Sequence, residues 1–147
     1  MRVRVGSGTG VELLVAAMAV ADPDWRAVLT HGEAAYDAAR AAGGRDLDPD
    51  TRHVVMDDDD VVVGCARVLD DGDTWRIGRV ALHPTVRGRG LADALLHTAL
   101  QVCRDRDVVL DAQVPLAGWY ATFGFVLDGE EFLEDGIPHQ PMRLPQP

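Results

Sequence analysis

Two glycines alternating with two arginines, in Arg87-Gly88-Arg89-Gly90-Leu91-Ala92, separate a strand-like run from an amphipathic helical run. This junction constrains the chain more than any other stretch. Gly88 and Gly90 allow turn geometries closed to L side chains and let a ligand approach the backbone. The following helix turns its unpaired N–H groups and its positive dipole end, about half an elementary charge, toward whatever lies there. Arg87 and Arg89 add guanidinium forks matched to phosphate oxygens. On their own, the six residues also read as a surface turn bearing two arginines. The flanking sequence decides between these readings.

Trp75 to Leu82 (WRIGRVAL) reads as a strand, with Arg76, Gly78, Val80 and Leu82 alternating against Trp75, Ile77, Arg79 and Ala81. His83-Pro84 ends it, because proline cannot donate into a ladder. Downstream, Asp93, His97, Gln101 and Arg104 make one polar stripe on an otherwise apolar run from Leu91 to Cys103, which predicts a helix buried over most of its circumference. Asp107 to Gln113 (DVVLDAQ) reads as a buried strand. Strand, glycine-arginine turn, helix, strand is an arrangement that can cradle a phosphate.

Arg87, Gly90 and Ala92 meet the pattern Arg/Gln-x-x-Gly-x-Gly/Ala, which resembles the acyl-coenzyme A pyrophosphate loop of the GNAT superfamily of N-acetyltransferases. Gly118-Trp119-Tyr120-Ala121-Thr122-Phe123-Gly124-Phe125 resembles the tyrosine-bearing segment of that superfamily. Three further segments are similar to its ElaA-like branch: Gly44 to His53, Leu110-Asp111-Ala112-Gln113, and Gly129 to His139. The resemblance implies an α/β (α+β) fold with a mixed, splayed sheet flanked by helices, and acetyl-CoA as cosubstrate. It further implies that Val80, Ala81, Leu82 and Gln113, with Arg87, Gly88, Arg89, Gly90, Leu91 and Ala92, bind that cosubstrate. The Arg79–Leu82 segment is expected to splay from the Asp107 strand, freeing amides near Val80 and Leu82 for the pantetheine arm.

A chain of 147 residues that is 47% hydrophobic suits a single domain spanning 1–147 with a real core. It has no membrane-length apolar run and no signal-peptide pattern, so a soluble cytoplasmic protein is expected, without a membrane partner. Cys65 and Cys103 have no metal spacing and are expected to be free and buried. All 14 basic residues are arginine, a coding bias without functional content. The net charge of −10 argues against nucleic acid as a partner, transfer RNA included. From Arg76 to Asp107, six Arg face three Asp, a local +3 that would draw a polyanionic cosubstrate.

The remaining sequence gives a coarse map. Arg2 to Val5 is a strand, Val11 to Ala21 a helix, and Trp25 to Ala42 helical in pieces. His53 to Met56 and Val61 to Leu69 form a hairpin across an all-Asp turn, Asp57 to Asp60. The clustered Asp residues read as solvated turn residues. Leu116 to Phe123 is a short helix with Gly124 as its C-cap, and Phe125 to Phe132 and Gln140 to Leu144 are closing strands. The glycine loop Gly6-Ser7-Gly8-Thr9-Gly10 resembles that of methyltransferases. Arg4, however, holds the place where those enzymes usually carry an acid, and no strand ending in an acid follows the helix.

Acyl transfer from a thioester to an amine needs a free amine, a polarised carbonyl and a proton for the departing thiolate. Keeping a Lys-like amine neutral at pH 7 costs roughly 4.6 kcal/mol, so a base or a water relay is needed. A phenol near 10 facing a thiol near 8.5 gives a proton transfer uphill by roughly 2 kcal/mol, while hydrogen bonding already stabilises the growing charge. Tyr120 is the candidate acid, the role the resemblance implies at that position; the alternative is a core tyrosine with a wet hydroxyl. Glu33, seven residues after Arg26, resembles the acidic residue of the family's helix-and-loop region and is the candidate base, although Leu29-Thr30-His31-Gly32 departs from the apolar pattern there. Asp111, His53 and His139 are further options. No metal is expected, since no histidine has metal-ligand spacing. The acceptor is expected to be a small-molecule or peptide amine, with Asp128, Glu130, Glu131, Glu134 and Asp135 either receiving it or forming an exposed hairpin. A non-catalytic acyl-CoA sensor on the same fold is the alternative, and a homodimer stays open.

Overall fold

Valine-rich runs build most of the strands in the described part of the chain, which comprises residues 2–7, 45, 48–59 and 61–147 of a computed structural model. The strands are β1 (Arg2–Ser7), β2 (Arg52–Asp58), β3 (Val61–Asp70), β4 (Thr74–Leu82), β5 (Asp107–Gln113), β6 (Val126–Leu127), β7 (Phe132–Glu134) and β8 (Ile137–Leu144). Helix α1 (Leu91–Val102) joins β4 to β5, and the short helix α2 (Ala117–Ala121) follows β5. One mixed sheet runs in the order β1-β2-β3-β4-β5-β8-β6, with β7 also on β8. Among the described strands, only β4 and β5 pair in parallel, as a crossover through α1 requires. The fold is mixed α/β with a splayed sheet flanked by helices, as expected. The helices expected over 11–21 and 25–42, the 8–10 part of the glycine loop, and Glu33 lie outside the described residues.

Helix α1 covers one face of the sheet with Leu95, Leu96 and Ala99, all fully buried. They meet Val54, Met56, Val68, Ile77, Val108 and Leu110 in the main core, which also takes in Tyr120, Phe125 and Met142. Burying each leucine stabilises the fold by roughly 1.5–3 kcal/mol. The polar stripe is exposed as expected at Asp93, His97 and Gln101, but Ala94 is exposed beside it. One face of α1 is buried rather than most of its circumference. No helix among the described residues is long and apolar enough to cross a membrane.

Strict alternation fails in β4. Cys65 pairs with Ala81 and Arg67 with Gly78, so Arg79 and Val80 together oppose Ala66. Arg79 takes a left-handed φ of 51°, and its carbonyl accepts from the buried Cys65 thiol at 3.2 Å. This bulge moves Val80 and Leu82 onto the core side with Trp75 and Ile77, and turns Ala81 to the opposite cluster with Val55 and Cys65. Both cysteines are buried free thiols.

Three residues of the Asp-rich stretches, Asp57, Asp70 and Asp71, are structural clamps, while Asp59 and Asp73 are exposed turn residues as expected. Asp57 lies inside β2, 3% exposed, and accepts from Arg4 at 2.6 and 2.9 Å, with Arg2 at 3.5 Å. The Arg4 hydrogen bond holds its carboxyl below the usual range. Asp70 pairs with Arg106, and Asp71 with Arg45 and Arg76.

Gly64 faces Leu82 across the β3–β4 ladder, where a Cβ would meet Leu82 Cδ2 at 2.8 Å and Met56 Cβ at 3.3 Å. Gly64→Val is expected to destabilise the fold by about 1–3 kcal/mol in urea unfolding, because the core cannot take the added volume. An unchanged midpoint would contradict this packing.

Candidate active site at the splayed strands

The β4–β5 ladder contains three pairs, Thr74–Asp107, Trp75–Val108 and Arg76–Val109, and then stops. β4 stays on β3 as far as Leu82, while β5 stays on β8 as far as Gln113. The two strands therefore part, and the β4 edge beyond Arg76 keeps backbone groups unpaired with β5. Two cavities open along the cleft. The smaller, about 460 Å³, is lined by Arg67, Arg76, Asp111, Glu134 and His139 among others. The larger, about 840 Å³, includes Ala81, Leu82, Arg87, Ala92 and Trp119. Arg79, Val80, Gln113, Leu116 and Tyr120 line both, so they form the joint between the compartments.

The glycine-arginine loop is built into the mouth of the larger cavity. Val86, 4% exposed, pins the 3-10 turn Pro84–Val86 to the core. Arg87 Nε then donates to the Leu82 carbonyl at 3.1 Å, folding the turn back on β4. Gly88 and Gly90 have φ of 78° and 73°. Gly90 caps α1 from the left-handed region with no side-chain hydrogen bond, so no side chain caps the first amides of the helix. Nothing lies within 4 Å of where a Cβ would stand at either glycine. Open space, uncapped amides and two exposed arginines fit a pyrophosphate. Among the described residues, none pairs with Arg89. The wider positive island seen in sequence is divided in space. Arg106 pairs with Asp70 and lies over Trp75, and Arg76 bridges Asp71 and Asp111, while Arg87 and Arg89 stay exposed at the mouth of the larger cavity and Arg79 lines its wall.

Tyr120 stands on α2, 6% exposed, where burial pushes its phenol up to about 12. Its ring meets Trp119 edge-on at 4.8 Å and Phe125 at 5.9 Å. Trp119 Nε1 donates to Asp93 at 2.8 Å, tying α2 to the first turn of α1 just beyond the loop.

The remaining site residues divide clearly. Val80, Ala81, Leu82, Gln113, Arg87 and Ala92 line the larger cavity. Gly88, Arg89, Gly90 and Leu91 form the adjoining turn and helix start. Asp111 lines the smaller cavity, 3.3 Å from Arg76, and His139 lines it beside Glu134. His53 is buried and lines neither cavity. Asp128 is paired with Arg143, and of the acidic tail only Glu134 lines one of these two cavities. Leu116, Trp119 and the bulged Arg79 are wall residues that sequence reasoning missed as such. An exposed apolar side chain just after a strand end was the available signal for Leu116. Nothing in an arginine signals a left-handed bulge. Among the described residues, no group of three or more His, Cys, Asp or Glu is placed to hold a metal.

A parted parallel strand pair, a glycine-arginine turn at a helix start and a buried tyrosine at the joint come together in one cleft. The acetyltransferase (GNAT) domain family matches residues 25–145, and the chain belongs to this family. A UPF0039 protein of Mycobacterium tuberculosis is 43% identical over 107 residues, 69% of each chain. Protein ElaA of Escherichia coli is 38% identical over 103 residues, 65% of this chain and 67% of ElaA. The ElaA crystal structure superposes with a TM-score of 0.75 at 29% identity over 97% of both chains. An acyl-CoA N-acyltransferase from Pseudomonas aeruginosa gives 0.76 at 28% over 97% of both.

The left-handed φ at Gly90 and the helical setting of Gly118 set up a paired test. Gly90→Ala is expected to lose about 1–2 kcal/mol in urea unfolding, whereas Gly118→Ala, inside α2 with open space around it, is expected to be neutral or stabilising by up to about 1 kcal/mol. Equal effects at the two sites would contradict the loop geometry.

Proposed function

We propose that the chain acts as one acyl-coenzyme A-binding domain over residues 1–147, moving the acetyl group of acetyl-CoA directly to a primary amine of a small molecule or peptide. The observation that carries this reading is the shared wall of Arg79, Val80, Gln113, Leu116 and Tyr120 between a compartment reaching the glycine-arginine loop and one lined with charged side chains. In this reading the pyrophosphate rests on the amides opening α1 between Arg87 and Ala92. The β4 edge at Val80, Ala81 and Leu82 takes the pantetheine arm, and Gln113 bounds the opposite side. The amine enters from the smaller cavity and meets the thioester at the joint.

The nitrogen lone pair attacks the thioester carbon. The C–N bond forms, the C–S bond breaks with its electron pair on sulfur, and the nitrogen gives up a proton to a base. Tyr120 donates its hydroxyl proton toward the sulfur. Against a thiol near 8.5, a phenol at about 12 would make full transfer uphill by roughly 5 kcal/mol. Burial acts on thiols too, however: Cys65 and Cys103 are pushed up to about 12 by the same desolvation. A coenzyme A thiolate partly desolvated at the joint would be raised in the same direction, which narrows the gap to Tyr120. The resemblance of its segment to the family pattern makes Glu33 one candidate for the base, beside Asp111 and His139 of the smaller cavity. Membership of the acetyltransferase family supports catalysis over the sensor alternative.

Tyr120→Phe is expected to lower kcat at least about 100-fold while leaving the coenzyme A Kd within about twofold, measured by free-thiol release and thermal-shift titration. Wild-type kcat should show no alkaline fall between pH 7 and pH 10, because the phenol keeps its proton through that window. Turnover in the Phe variant close to wild type, with coenzyme A still bound, would remove Tyr120 from the chemistry.

A further inference from the structure

We propose that His139 is the general base that takes the proton from the acceptor amine, an assignment that rests on the transfer reading above. His139 lies on β8 opposite Phe132 of β7, and its ring stacks on that phenyl at 5.7 Å with an interplanar angle of 21°. Its side chain is 12% exposed and lines the smaller cavity together with Tyr120 and Gln113, its ladder partner on β5.

The protonation pattern follows from one contact. His139 Nδ1 lies 2.8 Å from the carbonyl oxygen of Ile137. A carbonyl oxygen can only accept, so Nδ1 holds the hydrogen and donates. In the neutral ring this leaves the lone pair on Nε2. Nε2 is the atom nearest Glu134, 3.9 Å from its carboxylate, and Glu134 lines the same cavity. Stacking fixes the ring plane, the Ile137 bond fixes the tautomer, and Glu134 attracts the imidazolium once Nε2 is protonated. These are the three supports a histidine base needs.

Asp111 is less suited to the role, since its carboxylate already accepts from Arg76 at 3.3 Å. The charged and titratable groups around His139 in this cavity are Glu134 from β7, Asp111 from β5, Arg67 from β3, Arg76 and Arg79 from β4, and Tyr120 from α2. The proton balance closes: the N–H proton passes to Nε2 as the C–N bond forms, Tyr120 gives its proton to the sulfur, and both groups return to their resting states through solvent.

The test uses the full chain with acetyl-CoA and four amine probes: benzylamine, spermidine, glycinamide and a lysine-containing peptide. The pH profile of kcat is measured on whichever probe the wild type acetylates. His139→Gln is expected to lower kcat about 100-fold or more, to abolish the acidic limb of the profile, and to leave the acetyl-CoA Kd within about twofold. Added imidazole should restore turnover to His139→Ala in proportion to its free-base fraction, which a purely structural histidine would not allow. Thermal shift with coenzyme A establishes that both variants are folded. An acidic limb that persists in His139→Gln, no imidazole rescue in His139→Ala, or an acidic limb lost instead in Glu33→Gln would each overturn the assignment while leaving the transfer reading intact. Binding of acetyl-CoA by the wild type without acetylation of any probe would overturn both.

Discussion

The pairing of β4 with β5 ends after Arg76 and Val109, and the remaining architecture of the site follows from that early end. A parallel pair carried to full length would satisfy both edges and leave no cleft. Here each strand stays with its outer neighbour, so the sheet parts while every strand keeps a partner. The bulge at Arg79 completes the arrangement. One extra residue swings Val80 and Leu82 onto the core side and sets the β4 backbone against the larger cavity. The exposed polar backbone is tolerated because it faces a cavity open to solvent or ligand rather than the interior.

Stability and site geometry come from the same pieces. Helix α1 buries Leu95, Leu96 and Ala99 against the sheet, and that anchoring aims its uncapped first turn at the cavity mouth. Val86 pins the preceding turn, and the Trp119–Asp93 hydrogen bond ties the tyrosine-bearing helix to the same first turn. Loop, helix start and Tyr120 thus form one connected unit held by the main core. Arginine–aspartate pairs at the far ends of the strands, such as Arg106 with Asp70, hold the closed part of the sheet where β4 and β5 still pair.

Legibility from sequence followed the range of the interactions. The loop from Arg87 to Ala92 could be read because its glycines and the helix start are local, and the structure gives both glycines the left-handed φ that their type allows. The strand at 107–113 and the helix from Leu91 were readable from hydrophobic patterning, with ends shifted by about a residue. The bulge was not, since Arg79 carries no turn signature and its φ is imposed by pairing with β3. Asp57 was misread for a related reason. A run of four aspartates looks solvated until Arg4, fifty-three positions away, is brought alongside. The division of the closing segment into β6 and β7, with His139 stacked on Phe132, likewise depends on contacts across β8 that no local pattern announces. The resemblance of Gly118 to Phe125 singled out Tyr120, but its place at the joint of two cavities required the folded chain.

The most direct measurement is a two-dimensional amide NMR titration of the full chain with coenzyme A at low salt. Saturable shifts are expected to be largest at the Gly88 to Ala92 amides, followed by those of Val80 and Leu82, with the other strands nearly still. Saturation without movement in those amides, or the largest shifts around Gly6 to Gly10, would contradict anion capture at the start of α1 and the cleft built upon it.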